Sequence, residues 1–204
     1  MSQERQLLAE TVAALVAKHA DPGAVRAAME SDRGYDESLW QLLCEQVGAA
    51  ALVIPEELGG AGGELADAAV VLRELGRVLV PSPLLGTTLA ELALLAAADP
   101  DADTLEGLAQ GRSIGALVLD ADYVVNGDVA DVVVAATDGR LSRWTRFSAQ
   151  PVATMDPTRR LARTRARRLV GSMVATDCAL NRVHLLSRPS VAATTTSATS
   201  PLTT

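Results

Sequence analysis

The chain of 204 residues is 49% hydrophobic and carries a net charge of −7, enough length for one domain, or one and a half, with a buried core. No apolar run approaches the roughly 18 to 20 residues of a membrane helix, and the opening MSQERQLLAE, with Glu4 and Glu10, has no basic-then-apolar export layout, so a cytoplasmic protein without a membrane partner is expected. Residues 1–139 hold 7 Lys and Arg against 23 Asp and Glu, and residues 140–188 hold 11 Arg against Asp156 and Asp177, but with five aromatic residues in the whole chain the basic segment lacks stacking platforms, which argues against a nucleic-acid partner.

Leu7, Leu8, Val12, Leu15 and Val16 repeat at helical spacing and predict a first helix ending near His19. Asp21-Pro22 supplies an N-cap and a proline at the first helical position for a short helix over Gly23–Glu30. Asp36 caps a third segment, with Leu39, Trp40, Leu42, Leu43 and Val47 on its apolar face and Gly48 as its terminator. Ala49–Ile54 is an apolar stretch stopped by Pro55. From Glu64 onward, Leu65, Ala68, Ala69, Leu72, Leu75, Gly76 and Leu79 share one stripe, which Pro81 and Pro83 end. Leu84–Ala98 is apolar on most faces and reads as a buried helix; Asp99–Asp103 is an acidic turn and Thr104–Gln110 a short helix.

After Gly111 the period changes. Ile114–Leu119 and Val129–Ala136 are strand-type runs, with Asn126-Gly127 between them as a hairpin signal and Asp138-Gly139 as a second turn. Leu141–Phe147, Val152–Met155 and Leu161–Val170 are expected as further short strands. Helices first and strands afterwards predict an α+β fold: an all-α N-terminal helical domain over residues 1–112 followed by a partial antiparallel β-domain over 113–170. Residues 171–204 end in VAATTTSATSPLTT, which has neither charge nor period, and are expected to be disordered.

Each chemical motif meets an obstacle. GRSIG at Gly111–Gly115 fits a hydrolase nucleophile elbow, but that elbow needs a strand before Ser113 and a helix after it, and here the order is reversed. The histidines that could serve as base are His19 in the first helix and His184 near the end. Gly59, Gly60, Gly62 and Gly63 resemble a phosphate loop, yet Glu64 stands where a P-loop has lysine, and Glu56 and Glu57 would repel an anion. Glu56/Glu57 and Asp101/Asp103 read as solvated turn residues, Trp40 as core, and Arg159-Arg160 as an exposed loop rather than a phosphate clamp. Cys44 and Cys178 have neither metal spacing nor a disulfide framework. Composition and spacing therefore assign no catalytic, cofactor-binding or metal-ligating residue.

The linear pattern carries more. GYDESLWQLLCEQVGAAALVIPEELGGAGGELADAAVVLRELGRVLVPSPLLGTTLA resembles the N-terminal helical domain of acyl-CoA dehydrogenases, which show a Leu-Trp helix, a Gly and apolar run into Val/Ile-Pro-Glu-x-x-Gly-Gly, then a helix ending in Glu-x-Gly-Arg and a Pro-x-Pro segment. Trp40, Gly48, Pro55, Glu56, Gly59, Gly60, Gly62, Glu74, Gly76, Arg77, Pro81 and Pro83 fall on that pattern. A weaker likeness to the middle β-domain continues through VVNGDVADVVVAA and MDPTRRLARTRA, so that it spans roughly residues 1–167, in the manner of the divergent actinobacterial branch that includes members of sterol side-chain breakdown.

The resemblance implies FAD-dependent α,β-desaturation of an acyl-CoA thioester, as in fatty acid or sterol side-chain catabolism. A carboxylate base removes the α-proton, FAD takes the hydride, and an electron-transfer flavoprotein takes the electrons. It also implies a C-terminal four-helix domain, which carries the family's catalytic glutamate and for which this chain has no room. The flavin loop Thr-Glu-Pro-x-x-Gly-Ser-Asp has no counterpart between Ile114 and Val134. A truncated chain, inactive by itself, is expected; a frameshift beginning around Ala166–Val174 would account for the Arg-, Ser- and Thr-rich ending. The alternatives are a non-catalytic subunit in a homo- or hetero-oligomer with another dehydrogenase-like chain, or a helical interaction module. Without the C-terminal bundle, the Leu65–Leu79 stripe and the Leu84–Ala98 helix are expected to expose apolar patches.

Overall fold

A computed structural model describes residues 2–119, 123–137 and 140–173. Among them, six α-helices come first: α1 (Gln3–His19), α2 (Pro22–Glu30), α3 (Glu37–Leu42), α4 (Leu65–Arg77), α5 (Leu84–Leu95) and α6 (Ala102–Ala109). Five strands follow: β1 (Gly115–Leu119), β2 (Tyr123–Val125), β3 (Val132–Thr137), β4 (Arg140–Val152) and β5 (Leu161–Met173). The α+β arrangement read from the sequence is the one observed. No helical bundle follows β5 among the described residues.

Short polar side chains start four of the helices. Ser2, Asp21, Asp36 and Asp101 accept hydrogen bonds from first-turn amides, satisfying donors that a helix start leaves unpaired. The third helix passes into a π-helical turn, Leu43–Val47, and Gly48 stops it at φ 67°. The stripe that begins at Leu65 ends sooner than its period suggests. α4 stops at Arg77, Leu79 takes a left-handed φ of 59°, and the amides of Val80 and Leu79 bond back to the carbonyls of Leu75 and Gly76. That is a Schellman stop with leucine in the place where glycine is usual, closed by the buried pair Leu75 and Val80.

The strands form one sheet in the order β1-β3-β4-β5-β2. The hairpin expected between Ile114–Leu119 and Val129–Ala136 is not formed, because β1 and β3 pair in parallel, Gly115 opposite Val132 through Leu119 opposite Ala136. Asn126-Gly127 does make a tight turn, with Asn126 at φ 55°, but it joins β2 to β3, which are not neighbours. The chain crosses from β1 to the far edge as β2 and then returns as β3, the kind of crossover a parallel pair requires. The other pairs, β3 with β4, β4 with β5 and β2 with β5, are antiparallel. Val152–Met155 is not a strand of its own: β4 runs through Val152 and the chain then loops to β5, which continues to Met173. The Asp138-Gly139 turn and residues 174–204 lie outside the described residues.

Two cores result. The larger lies among the helices and one face of the sheet, with Trp40, Ile54, Leu75, Leu84, Leu94 and Leu108 against Leu117, Val134 and Leu141. The smaller gathers Ala116, Val118, Val124, Val133 and Ala135 on the alternate positions, with Trp144 and Phe147 beside them. The edge strands β1 and β2 also pack side by side, so the sheet curls around this second core. α5 lies on β1 so closely that a Cβ on Gly115 would strike the Ala90 side chain. The apolar patch expected on α5 is covered in part: Leu84, Ala90, Ala93 and Leu94 are buried, Leu89, Leu92 and Leu95 are half-buried, and Leu85 is exposed. On and just beyond the α4 stripe, Leu65, Val78 and Leu79 are exposed.

Candidate functional site

The glycine-rich turn is occupied by its own backbone. Its amides turn inward: Gly59 donates to the Glu56 carbonyl, Gly60 to Pro55, Ala61 to Ala51 and Gly62 to Ile54, at 2.9–3.0 Å. A phosphate cradle needs such amides free and pointing outward. A Cβ on Gly60 would overlap the Ile54 carbonyl, while Gly59 and Gly62 have φ of 82° and 65°. These glycines let two stretches of main chain pass in contact. The groove beside the turn is open, about 330 Å³, and is lined by Val53, Pro55, Glu56, Glu57, Gly62 and Gly63, an acidic rim unsuited to an anion.

The remaining sequence candidates are likewise structural. Ser113 lies between α6 and β1 with its amide bonded to the Gly107 carbonyl, whereas His19 lines a different groove beside Asp36 and Pro81. His184 and Cys178 lie outside the described residues. Trp40 is buried and donates from Nε1 to the Gly111 carbonyl at 3.2 Å. Asp101 caps α6 with one carboxylate oxygen and binds Arg143 of β4 with the other at 3.1 Å, tying the sheet to the helices. Arg159 is exposed as expected, but Arg160 is not a free loop residue: it is bound to the nearly buried Asp128. Among the described residues no group of three His, Cys, Asp or Glu side chains could hold a metal ion.

Two buried carboxylates escaped the sequence reading. Glu74, 5% exposed, sits on α4 between Arg73 and Arg77, at 2.9 and 3.2 Å. Burial works to raise its pKa, but the hydrogen bonds from Arg73 and Arg77 outweigh it and hold the carboxyl below the usual glutamate value. Glu91, 1% exposed, sits on α5 with both oxygens unpaired among the described residues, as is the Thr88 hydroxyl one turn earlier. Burial alone pushes the Glu91 carboxyl up to about 8. It is the single charged residue of Leu84–Ala98, and that was the available signal: one acid in an otherwise apolar helix. Cys44 is buried, and burial, chiefly, pushes its thiol up to about 12, which disfavours the thiolate that a nucleophile needs.

A helical layer packed on a curled mixed sheet defines an α+β protein. Residues 2–112 match the family described as acyl-CoA dehydrogenase, N-terminal domain. The chain belongs to the acyl-CoA dehydrogenase family. It is similar to the acyl-CoA dehydrogenase IpdE2 of Mycobacterium tuberculosis, with 84% identity over 161 residues, covering 79% of this chain and 51% of that protein. Among solved structures, a variant of the Tcur3481–Tcur3483 steroid ACAD has the same fold at a TM-score of 0.73 and 22% identity, over 89% of this chain and 59% of that one. The ChsE4–ChsE5 complex from Mycobacterium tuberculosis follows at 0.72 and 21%, over 91% of this chain and 60% of that one. The chain spans about half the length of the curated relatives it matches.

Proposed function

We propose that this chain supplies the helical N-terminal domain (residues 1–112) and part of the middle β-domain (113–170) of an acyl-CoA dehydrogenase of the cytoplasm, and that by itself it turns over no substrate. The family's desaturation needs a carboxylate that reaches the α-carbon of an acyl-CoA thioester. The observation that carries the reading is the state of the two buried carboxylates: Glu74 is neutralised by two arginines, and Glu91 is sealed between α5 and its neighbours. When bound, FAD supplies the hydride acceptor of the family reaction. The residues present do not make a complete cradle for it, since β1 and β2 are joined by residues 120–122 alone, too short a link for the family's flavin loop. The test is purified chain with added FAD, a panel of acyl-CoA thioesters and an artificial electron acceptor; no turnover above blank is expected, and clear turnover would refute the reading.

A second reading is a non-catalytic subunit working beside another dehydrogenase-like chain, with acyl-CoA and an electron-transfer flavoprotein as the partners of the assembly. It is favoured by the likeness in fold to the ChsE4–ChsE5 complex. Co-purification with a second dehydrogenase-like chain, and flavin absorbance that arises only in the complex, are the expected results; a monomer that stays colourless beside every co-expressed candidate would count against it.

A further inference from the structure

β4 and β5 run on past the short strands as a two-stranded ribbon, and one of its faces carries an arrangement that the family reading does not use. Arg163 and Arg165 stand two residues apart on β5 and so point the same way. The register sets Gln150 opposite Arg163 and Ser148 opposite Arg165, and β2 sets Tyr123 on the other flank of Arg163. Ser148 and Gln150 alternate with Phe147, which packs on the second core, so they face away from it. Ser148, Gln150, Arg163 and Arg165 line a concavity of about 270 Å³.

Every side chain of that lining can donate a hydrogen bond, and the two guanidiniums can only donate. Residues 140–173 hold nine arginines and one acid, Asp156, whose carboxylate is taken up by the Thr158 amide and hydroxyl. Among the described residues no carboxylate pairs with Arg163 or Arg165, although Arg143 and Arg160 each have one. Arg163 is held in place: Nη2 donates to the Tyr123 hydroxyl at 2.9 Å, and its Cζ lies 5.3 Å from the Tyr123 ring centroid. A guanidinium fixed beforehand loses less freedom on binding and still presents a planar fork that matches an oxyanion.

We propose that this concavity is a binding site for a phosphate group, held by Arg163 and Arg165 with the Ser148 hydroxyl and the Gln150 amide completing the donor set. The test is a titration of the isotope-labelled 204-residue chain with sodium phosphate, followed by backbone and arginine Nε–H NMR shifts, against sodium chloride at matched ionic strength. Saturable shifts confined to Tyr123, Ser148, Gln150 and Arg163–Arg165 are expected with phosphate and not with chloride. Arg163→Gln and Arg165→Gln should each weaken binding about tenfold, the loss of one charge-assisted contact. Arg165→Lys keeps the charge and loses the fork, so it should also weaken binding and carries the test if a glutamine variant disturbs the strand. Equal shifts with chloride, or affinity unchanged in Arg165→Lys, would overturn the proposal. Glycerol phosphate as a second titrant distinguishes the source: tighter binding than inorganic phosphate assigns an ester, equal binding the free anion.

Discussion

Arg160 and Asp128 are joined through one carboxylate oxygen: Arg160 Nε donates to Asp128 Oδ2 at 2.7 Å, and Nη2 donates to the same atom. The Asp128 side chain is 6% exposed and that of Arg160 25%. The same guanidinium fills the space beside Gly34, where any Cβ would overlap it. The turn after β2, the loop before β5 and the loop before α3 therefore meet at one side chain, which locks the sheet to the helices.

Removing that side chain should leave Asp128 buried without a cation. Arg160→Ala is expected to lower stability by about 2 kcal/mol, less than for a fully buried pair because Arg160 retains some solvent. Gly34→Ala should cost a similar amount by a different route, since its methyl evicts Arg160 and its φ of 69° is unfavourable for alanine. The two changes break one contact, so in a double-mutant cycle read by urea unfolding the combined loss should fall well short of the sum. Strict additivity would show that Gly34 and Arg160 act independently.

The glycines of the turn should differ sharply in their tolerance. Gly60→Ala places a methyl against the Ile54 carbonyl, which is backbone and cannot swing aside, and should cost about 3 kcal/mol or more. Gly48 differs in both respects: it takes a left-handed φ of 67°, which Gly60 does not, and among the described residues nothing lies within 4 Å of an added Cβ, so Gly48→Ala should cost only about 1 kcal/mol. Thermal unfolding of the two variants side by side checks this, and a loss at Gly60 no larger than at Gly48 would show that the Ile54 carbonyl gives way to the methyl.

The starts of α2 and α3 were legible because capping is local: Asp21 and Asp36 lie within three residues of the amides they bind, whereas Asp101, read as a solvated turn residue, proves to be the cap of α6, which starts at Ala102 rather than Thr104. Strand pairing is not local. Asn126-Gly127 gives the same signal whether the flanking strands pair or part, and here the partner of β2 is β5, whose Arg163 lies forty residues beyond Tyr123. The ion pairs Asp101–Arg143 and Asp128–Arg160 were hidden for the same reason, as each joins segments separated by more than thirty positions. Leu79 was misplaced because its stripe position suits helix, while the Schellman stop that pulls it out depends on Val80 packing on Leu75.

Glu91 should make stability depend on pH. Its folded-state pKa, about 8, lies above the ordinary 4.5, so between these values the folded chain holds a proton that the unfolded chain has lost. Stability contributed by the neutral carboxyl is full below about 4.5, falls as pH rises toward 8 and then levels off. Glu91→Gln removes that slope while keeping shape and size. At pH 7 the variant should be more stable than the parent by about 3 kcal/mol, with the difference vanishing near pH 4.5. Unfolding midpoints of both chains across pH 4.5–8.5 check the sign; a parent whose stability matches the variant's at every pH would mean that Glu91 finds a partner.

Leu79 stores strain that a substitution can release. A left-handed backbone costs an L-residue roughly 1–2 kcal/mol, and leucine recovers little of that by burial because it is 53% exposed. Leu79→Gly fits the Schellman position without that cost, though glycine gives back part of the gain through its freer unfolded state. A net stabilisation of about 0.5–1 kcal/mol is expected, seen as a raised urea midpoint with unchanged slope. Loss of stability instead would mean that the Leu79 side chain is held by a contact, with Val78, its exposed neighbour in sequence, as the residue to test next.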